Sequence, residues 1–239
     1  MKRRDFLIMS GATVAGGAAL TSILANVNLG ETPANKDDAM KLTPPKTGAI
    51  PVAVLISDGA TVIDFTGPWE VFQDVSVNGR DSAFEPYTVA ETLEPITASA
   101  GLTIVPNYTF ATAPQPKVVM MGAQRGRSPA TFEWLKKVSS TADVVMSVCT
   151  GAFILAQSGL IDGKTATTHH DYYDNFAKQF PKVELKRGLR FVEEKKFSSA
   201  GGLTSGIDMA LRVVDRYFGR EVAEKTAFYM EYRSKDWMV

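Results

Sequence analysis

Hydrophobic and polar residues alternate along most of this chain in blocks that predict strands and helices in turn. Largely apolar runs at 52–56, 117–121 and 144–148 are typical of strands buried in a parallel sheet. Apolar residues at helical spacing lie between and after these runs, most clearly over 205–218, where Gly219 marks the helix end. This alternation predicts a single-domain α/β sandwich with a mainly parallel central sheet.

Weaker patterns between these blocks predict the remaining elements. They are a helix beginning at Gly67-Pro68, a strand at 86–92, a hairpin over 97–106, a helix capped by Ser128-Pro129, a short strand at 165–168 and a charged, antiparallel segment at 189–198. We see no internal repeat and no second domain.

The first 25 residues have the features of an export signal and are not expected to belong to the fold. Arg3 and Arg4 precede a mildly hydrophobic stretch rich in Gly and Ala, which resembles a twin-arginine signal. Its glycines make a stable membrane anchor unexpected. Residues 26–49 read as a flexible leader, and residues 50–239 as the folded domain. The signal predicts a periplasmic or otherwise exported protein.

Composition excludes several classes of protein. The 26 basic and 26 acidic residues balance to a net charge of zero, so no nucleic-acid-binding face is expected. One cysteine cannot form an internal disulfide, and two adjacent histidines without a paired-cysteine motif make a metal site unexpected. We therefore predict neither a metal nor another cofactor.

The single cysteine, Cys149, lies where an apolar strand-like run meets small residues and then a stretch of helical character. A strand that turns abruptly into a helix raises the turn residue above the sheet, as in a nucleophile elbow. Free amides at the helix N-terminus stabilise a thiolate, so we expect a pKa below the ~8.5 of free cysteine. The alternative is a buried cysteine that acts as a small hydrophobic residue.

Five motifs around this cysteine and beyond it resemble those of the ThiJ/PfpI superfamily. They are SVCTG at 147–151, GLIDGK at 159–164, ATTH at 166–169, IDFTGPWEV at 63–71 and GGLTSGID at 201–208. The match runs in order through nearly all of 50–217 and is similar to the branch that contains isonitrile hydratase and the sensor half of some AraC-type regulators. The resemblance implies a flavodoxin-like, class I glutamine amidotransferase-like fold, a small-molecule substrate and a homodimer.

The resemblance also implies roles for three residues. Cys149 corresponds to the nucleophile, Thr150 to an oxyanion-side donor through its amide and hydroxyl, and Asp64 to an acid that meets the thiol from the loop after the first strand. A carboxyl group beside a thiolate can share its proton and act as general acid or base. The alternative for Asp64 is a turn or capping residue ahead of the next helix.

The loop at Gly122-Ala123 departs from the family pattern. The family commonly has Pro-Gly-Gly at the end of the strand before the elbow strand, where an amide helps to hold an oxyanion. Ala123 cannot adopt positive φ without strain, so either this loop has another shape or the second oxyanion donor comes from elsewhere. We keep both residues as substrate-binding candidates.

Other polar and glycine positions are weaker candidates. His169 could orient the thiolate or bind substrate, or could simply be hydrogen-bonded at a strand end. Gly202 would permit a tight loop beside the pocket and is a further substrate-binding candidate. Asp208 follows Ser205 at capping-box spacing, which indicates a structural role. We expect Arg125 and Arg127 to be solvated.

These features favour a cysteine-dependent hydratase, a lyase that adds water to a small electrophile through a thioimidate on Cys149. Two alternatives stay open: a non-catalytic ligand or redox sensor with this fold, and glyoxalase III-like carbonyl detoxification. A Cys-His-acid glutaminase or protease fits less well, because no histidine follows His170. An AraC-type regulator is not expected, because no helix-turn-helix motifs follow the matched region. The sequence does not identify the substrate.

Overall fold

A central β-sheet covered by helices on both faces organises the structure, a computed structural model that describes residues 40–239. The strands are β1 Ile50–Leu55, β2 Phe84–Ala90, β3 Ile96–Thr97, β4 Thr103–Ile104, β5 Tyr108–Thr109, β6 Val118–Met121, β7 Val144–Val148, β8 Thr165–Ala166, β9 Glu184–Leu185, β10 Phe191–Glu194 and β11 Phe197–Ala200. The α-helices are α1 Val62–Asp74, α2 Pro129–Ser139, α3 Gly151–Gln157, α4 Tyr173–Gln179, α5 Ser205–Phe218 and α6 Arg220–Tyr229.

The main sheet has seven strands in the order β10-β11-β7-β6-β1-β2-β5. Only β10 runs antiparallel to its neighbour, and the other strand pairs are parallel. The pairs β3-β4 and β8-β9 form two small additional sheets. The prediction of an α/β fold with a mainly parallel central sheet is confirmed.

Two apolar cores lie on the two faces of this sheet. On one face α1, α5 and α6 pack against Ile50, Val52 and Val54 of β1, and on the other α2, α3 and α4 pack on the side of Ala53 and Leu55. Successive strand residues point to opposite faces, so a strand covered on both sides must be apolar throughout. This explains the largely apolar runs in the sequence.

Helix α1 begins at Val62 and not at Gly67, so the predicted start was wrong. Pro68 lies inside the helix, where it lacks the amide that would bond to the carbonyl four residues back, that of Asp64. A proline in the first turn of a helix has no such hydrogen bond to lose, and for this reason the sequence favoured a helix that begins at Gly67-Pro68. The longer helix moves Asp64 from the predicted loop into the first turn of α1.

The predicted antiparallel segment at 189–198 is confirmed: it contains β10 and the start of β11, which pair as an antiparallel hairpin that turns at Lys195 with a φ of 52°. Helix α6 was not predicted. The capping prediction at the start of α5 is wrong. Ser205 and Asp208 do not form a capping box, because Thr204 is the N-cap and the buried Asp208 carboxylate instead accepts hydrogen bonds from Arg190 and Ser234.

The predictions for the start of α2 and for the end of α5 are correct. Ser128 caps α2, accepting a hydrogen bond from the Thr131 amide at 3.1 Å. Gly219 ends α5 with a φ of 87°, a conformation that glycine adopts without strain. Over 97–106 the predicted hairpin is formed by β3 and β4.

The predicted export signal at 1–25 and most of the predicted leader at 26–49 lie outside the described residues, and both stay predictions. Between residues 40 and 239, none of the helices combines the length and the hydrophobicity needed to cross a bilayer.

Candidate functional site

Cys149 occupies the turn between β7 and α3 at the carboxyl end of a central strand. Its φ is 58°, a left-handed conformation that a non-glycine residue adopts only under strain. Two hydrogen bonds hold the turn: the Cys149 amide donates to the Ala200 carbonyl at 3.1 Å, and the Thr168 hydroxyl donates to the Cys149 carbonyl at 2.9 Å. This is the geometry of a nucleophile elbow, with the cysteine 8% exposed.

Small residues follow Cys149 because the chain passes close to the end of β6. A Cβ on Gly151 would lie 2.4 Å from the Met121 carbonyl oxygen and 2.9 Å from that of Gly122. These are backbone atoms that cannot move aside. The glycine in SVCTG is therefore required by packing at the elbow.

Asp64 is fully buried and is held by three groups from distant parts of the chain. Its Oδ2 accepts the Ala123 amide at 3.0 Å, its Oδ1 accepts the Leu203 amide at 3.2 Å, and its carboxylate is hydrogen-bonded to the Cys149 thiol. The side chain of Asp64 does not cap α1, whose N-cap is Thr61. The capping alternative for Asp64 is therefore wrong.

Close contacts bring the carboxylate of Asp64 to the thiol. A Cβ on Gly122 would lie 2.6 Å from the Cβ of Asp64, so only glycine lets β6 end this close to α1. On the other side, a Cβ on Gly67 of α1 would lie 3.0 Å from Ile207 of α5, so the two helices pack tightly. The amide of Leu203, just ahead of α5, is thereby held near the first turn of α1.

The Cys149 thiol is a weaker acid than the sequence predicted. Burial and the negative charge of Asp64 raise the pKa of Cys149 to about 12, while hydrogen bonds from the Thr150 amide and hydroxyl act in the opposite direction. The predicted pKa below that of free cysteine is wrong, because loss of solvent and a neighbouring carboxylate outweigh the helix N-terminus.

Burial also raises the pKa of Asp64, and its bonds from the Ala123 and Leu203 amides oppose that shift. The effect of each group on the other differs in sign: the Cys149 thiol lowers the pKa of Asp64 by its hydrogen bond, whereas the charge of Asp64 raises the pKa of Cys149. The contacts within the pair therefore favour a carboxylate on Asp64 and a protonated thiol on Cys149.

Alkylation of Cys149 by iodoacetamide should therefore be slower at pH 7 than that of a free thiol, and should keep rising up to pH 10. The raised pKa leaves little thiolate at neutral pH, and the thiolate is the reactive form. The measurement is the alkylation rate against pH, followed by intact mass. The same protein unfolded in guanidinium is the control and should follow the profile of a free cysteine. A folded-state rate that levels off below pH 8 would contradict the raised pKa.

In the loop at 122–123, the Ala123 amide is engaged by Asp64 and is not free to hold an oxyanion. Ala123 is not among the described non-glycine residues with positive φ, and its amide donates to Asp64. Of the two possibilities left open by the sequence, the structure has a loop of another shape. Thr150 is then the donor that faces the sulfur, through its amide and hydroxyl.

His169 and Gly202 lie together beside the pair. Nδ1 of His169 accepts the Asp171 amide at 3.3 Å, so the ring caps the following turn. A Cβ on Gly202 would lie 2.5 Å from the ring of His169, which explains the glycine at that position. Cys149 has its side-chain hydrogen bonds with Asp64 and Thr150, so the thiol belongs to a Cys-Asp pair and not to a Cys-His triad.

Two clefts adjoin the Cys149 elbow. One, of about 400 Å³, is lined by His169, Gly202 and Leu203 and also by Thr168, whose hydroxyl bonds to the Cys149 carbonyl. The other, of about 260 Å³, is lined by Thr150 among others. A larger depression of about 510 Å³ lies elsewhere, and none of its lining residues is hydrogen-bonded to the side chain of Cys149 or Asp64.

Among residues 40–239, one group of side chains is close enough to hold a metal ion. It consists of His169, His170 and Asp171, whose ligand atoms lie within 4.8 Å of one another. His170 and Asp171 are exposed, and the Asp171 carboxylate pairs with both imidazoles. Arg125 and Arg127 are exposed, as expected, although Arg127 lies over the Phe153 ring at 5.8 Å.

Sequence reasoning missed Leu203 as part of the site. Its contribution to Asp64 is a backbone amide, which every residue except proline carries, so residue type gives no signal. The glycines before it indicate a tight loop, but not the direction of the next amide.

Comparison with known proteins gives both an enzyme and a regulator as relatives. Isonitrile hydratase of Pseudomonas putida is 30% identical over 192 residues, which cover 77% of this chain and 79% of the enzyme. The HTH-type transcriptional regulator CdhR of Pseudomonas aeruginosa is 30% identical over 168 residues, which cover 62% of this chain. The matched part is 49% of that regulator, so this chain spans about half its length.

A structural superposition and a family match agree with these relatives. The crystal structure of a THiJ/PfpI family protein from Pseudomonas syringae superimposes with a TM-score of 0.69 at 27% identity, covering 87% of this chain and 84% of that one. Residues 51–216 match the DJ-1/PfpI family. This span includes both members of the Cys149–Asp64 pair, and the chain belongs to the DJ-1/PfpI family.

Proposed function

We propose that this protein is a cysteine-dependent hydratase of the isonitrile hydratase type, which converts an isonitrile to an N-substituted formamide. The observation that carries the proposal is the buried pair in which the Asp64 carboxylate accepts the hydrogen bond of the Cys149 thiol. Such a pair can deliver a sulfur nucleophile and a proton to the same substrate atom. The likeness to isonitrile hydratase, at 30% identity, supports the same reaction class.

In the first step the sulfur of Cys149 attacks the terminal carbon of the isonitrile while Asp64 takes the thiol proton. Asp64 then gives that proton to the same carbon. One S–H bond is broken, one S–C bond and one C–H bond are formed, and the product is a thioimidate on Cys149. Since Asp64 ends as it began, a carboxylate with a raised pKa is suited to both transfers.

In the second step water adds to the thioimidate carbon. Asp64 takes one proton from this water, and the substrate nitrogen becomes protonated as the C–N double bond is lost. The C–S bond then breaks, the carbonyl of the formamide forms, and the departing sulfur recovers a proton through Asp64. Across both steps one isonitrile and one water become one formamide.

The donors around the sulfur favour this reaction over acyl transfer from an amide. Attack on an amide carbonyl creates an oxyanion in the first step, and the active sites of acyl-transfer enzymes hold preorganised donors aimed at that oxygen. Here the Ala123 amide donates to Asp64, so Thr150 is the remaining donor beside the sulfur. An isonitrile carbon carries no oxygen in the first step and places no such demand on the site.

The raised pKa of Cys149 also argues against the redox-sensor alternative. Sensor cysteines are accessible and have low pKa values, because the thiolate is the form that is oxidised. Cys149 is buried and has its pKa raised. The expected homodimer and the exported location stay predictions.

A panel of isonitriles, 2-oxoaldehydes and small amides tests the proposal with purified protein. We expect turnover of isonitriles to formamides, with deuterium at the formyl carbon in D₂O and ¹⁸O in the carbonyl when the water is labelled. Mass spectrometry of the product measures both. Turnover of 2-oxoaldehydes alone would support the glyoxalase III-like alternative. Turnover of none of the three, with reversible oxidation at Cys149, would support the sensor.

A further inference from the structure

Leu203 has a backbone conformation that its residue type disfavours. Its φ is 52°, in the left-handed region, which is strained for a residue that carries a Cβ. The conformation directs the Leu203 amide to Oδ1 of Asp64 at 3.2 Å. A strained turn keeps its shape only when its surroundings fix it. The groups that hold this turn therefore decide whether Asp64 keeps one of its two amide donors.

The hydroxyl of Ser205 holds the residue before Leu203 at both of its backbone polar groups. It accepts the Gly202 amide at 2.7 Å and donates to the Gly202 carbonyl at 2.9 Å. The Ser205 amide donates to the same carbonyl at 3.1 Å. Ser205 is 2% exposed, so these bonds are made away from solvent.

The Gly202 carbonyl and the Leu203 amide form one peptide group, the 202–203 peptide. This group is planar and trans, so its oxygen and its N–H point in opposite directions. Ser205 holds the oxygen, and Asp64 accepts from the N–H. Because the group is rigid, fixing the oxygen also fixes the direction of the amide that reaches Asp64.

Arg190 anchors the outside of the same loop. Its carbonyl accepts the Gly201 amide at 2.9 Å, and its guanidinium is hydrogen-bonded to the Thr204 hydroxyl at 3.3 Å. These contacts lie before and after the 202–203 peptide and do not include it. Ser205 therefore orients that peptide from within the loop, while Arg190 holds the loop in place.

The orientation of the Leu203 amide affects the charge of the reacting pair. Burial raises the pKa of Asp64, and the bond from the Leu203 amide acts against that shift by favouring the carboxylate. Burial and the charge of Asp64 raise the pKa of Cys149. If the amide turned away, Asp64 would take the thiol proton more readily, and more of the sulfur would be thiolate.

We propose that Ser205 is a positioning residue for the Cys149–Asp64 pair. By holding the oxygen of the 202–203 peptide, its hydroxyl directs the Leu203 amide to Asp64 and keeps the negative charge on the carboxylate. Ser205 acts through Leu203 and is not itself a catalytic residue. Its effect on turnover rests on the proposed function, whereas its effect on the thiol does not.

The variant Ser205→Ala removes the hydroxyl and leaves the backbone bonds of the turn. We expect iodoacetamide to alkylate Cys149 about 5-fold faster at pH 7, because a less fixed Leu203 amide stabilises the Asp64 carboxylate less and more of the sulfur is thiolate. Isonitrile turnover should fall about 10-fold. Ser147→Ala is the matched control: Ser147 is also buried, but its hydroxyl has no hydrogen-bond partner among the described residues, and both rates should stay near those of the wild type.

The same substitution made in Asp64→Asn separates positioning from a general loosening of the elbow. Without a carboxylate at position 64 no group takes the thiol proton, so Ser205→Ala should leave the alkylation rate of Asp64→Asn unchanged. A faster rate in both backgrounds would show that the elbow has opened and would overturn the proposal. An unchanged rate in the wild-type background would also overturn it. Melting temperatures show whether each variant is folded.

Hydrogen exchange of the Leu203 amide tests the contact directly and without catalysis. In protein labelled with ¹⁵N-leucine, this amide is assigned by its absence from the spectrum of Leu203→Gly. It should be protected about 100-fold relative to an unstructured peptide in the wild type, and about 10-fold less in Ser205→Ala. Exchange at the unprotected rate in the wild type would overturn the proposal. If the alkylation and exchange results hold while no isonitrile is turned over, the positioning role stands and the proposed function fails.

Discussion

Asp64→Asn should lower the turnover of an isonitrile by about 10³-fold, while Cys149 becomes more reactive toward iodoacetamide at pH 8 to 9. Asparagine cannot move the thiol proton, so catalysis is lost. It also removes the negative charge that raises the pKa of Cys149, so more thiolate is present at a given pH. Steady-state kinetics and alkylation rates measure the two effects, which have opposite signs. Unfolding would also give faster alkylation and lost turnover, so the melting temperature of the variant is measured alongside and should show that the protein is folded.

The same substitution should destabilise the protein only moderately. The amide oxygen of the introduced asparagine can accept one of the bonds from Ala123 and Leu203, and the other donor loses its acceptor, at a cost of about 1–3 kcal/mol. Glu70→Gln is the matched control, since it removes an exposed carboxylate from the same helix. It should leave turnover and alkylation unchanged. Activity of Asp64→Asn within a few fold of the wild type would remove Asp64 from the mechanism.

Cys149→Ser should lose turnover by about 10⁴-fold or more and should form no covalent adduct. A serine hydroxyl fits the same turn, but it is far less acidic than a thiol and is hydrogen-bonded to a carboxylate that disfavours further negative charge. Kinetics measure the loss. Acid quenching of the wild type during turnover, followed by intact mass, should show a population heavier by one substrate, which is absent in Cys149→Ser.

Ser147→Ala is the control for that substitution, because Ser147 lies two residues before the elbow and its buried hydroxyl has no hydrogen-bond partner among the described residues. Its activity should stay near that of the wild type. Melting temperatures of all variants separate loss of chemistry from loss of fold. Full activity of Cys149→Ser would exclude covalent catalysis through the elbow.

Much of the fold could be predicted because it follows from local patterns. The apolar runs of β1, β6 and β7 reflect strands that are covered on both faces of the sheet. The helical spacing of apolar residues over Ser205–Phe218 reflects a helix that packs one of its faces against the core. The elbow could be located from residues 144–152 alone, because the change from strand to helix is a property of adjacent residues. The need for glycine at position 151 comes instead from the end of β6, which packs against the elbow. The start of α1 could not be predicted from local sequence, because tertiary packing accommodates Pro68 inside the helix.

The chemistry of the site depends on residues that only the folded chain brings together. From the sequence, Cys149 has the surroundings of an activated thiolate, whereas the folded structure gives it a buried thiol next to a carboxylate. Asp64 could be named from its motif, but its partners are the amides of Ala123 and Leu203, which side-chain identity does not reveal. A pKa depends on every charge, donor and solvent-exposed surface near an atom in space. The sequence therefore located the candidate nucleophile, and the tertiary structure set its proton affinity.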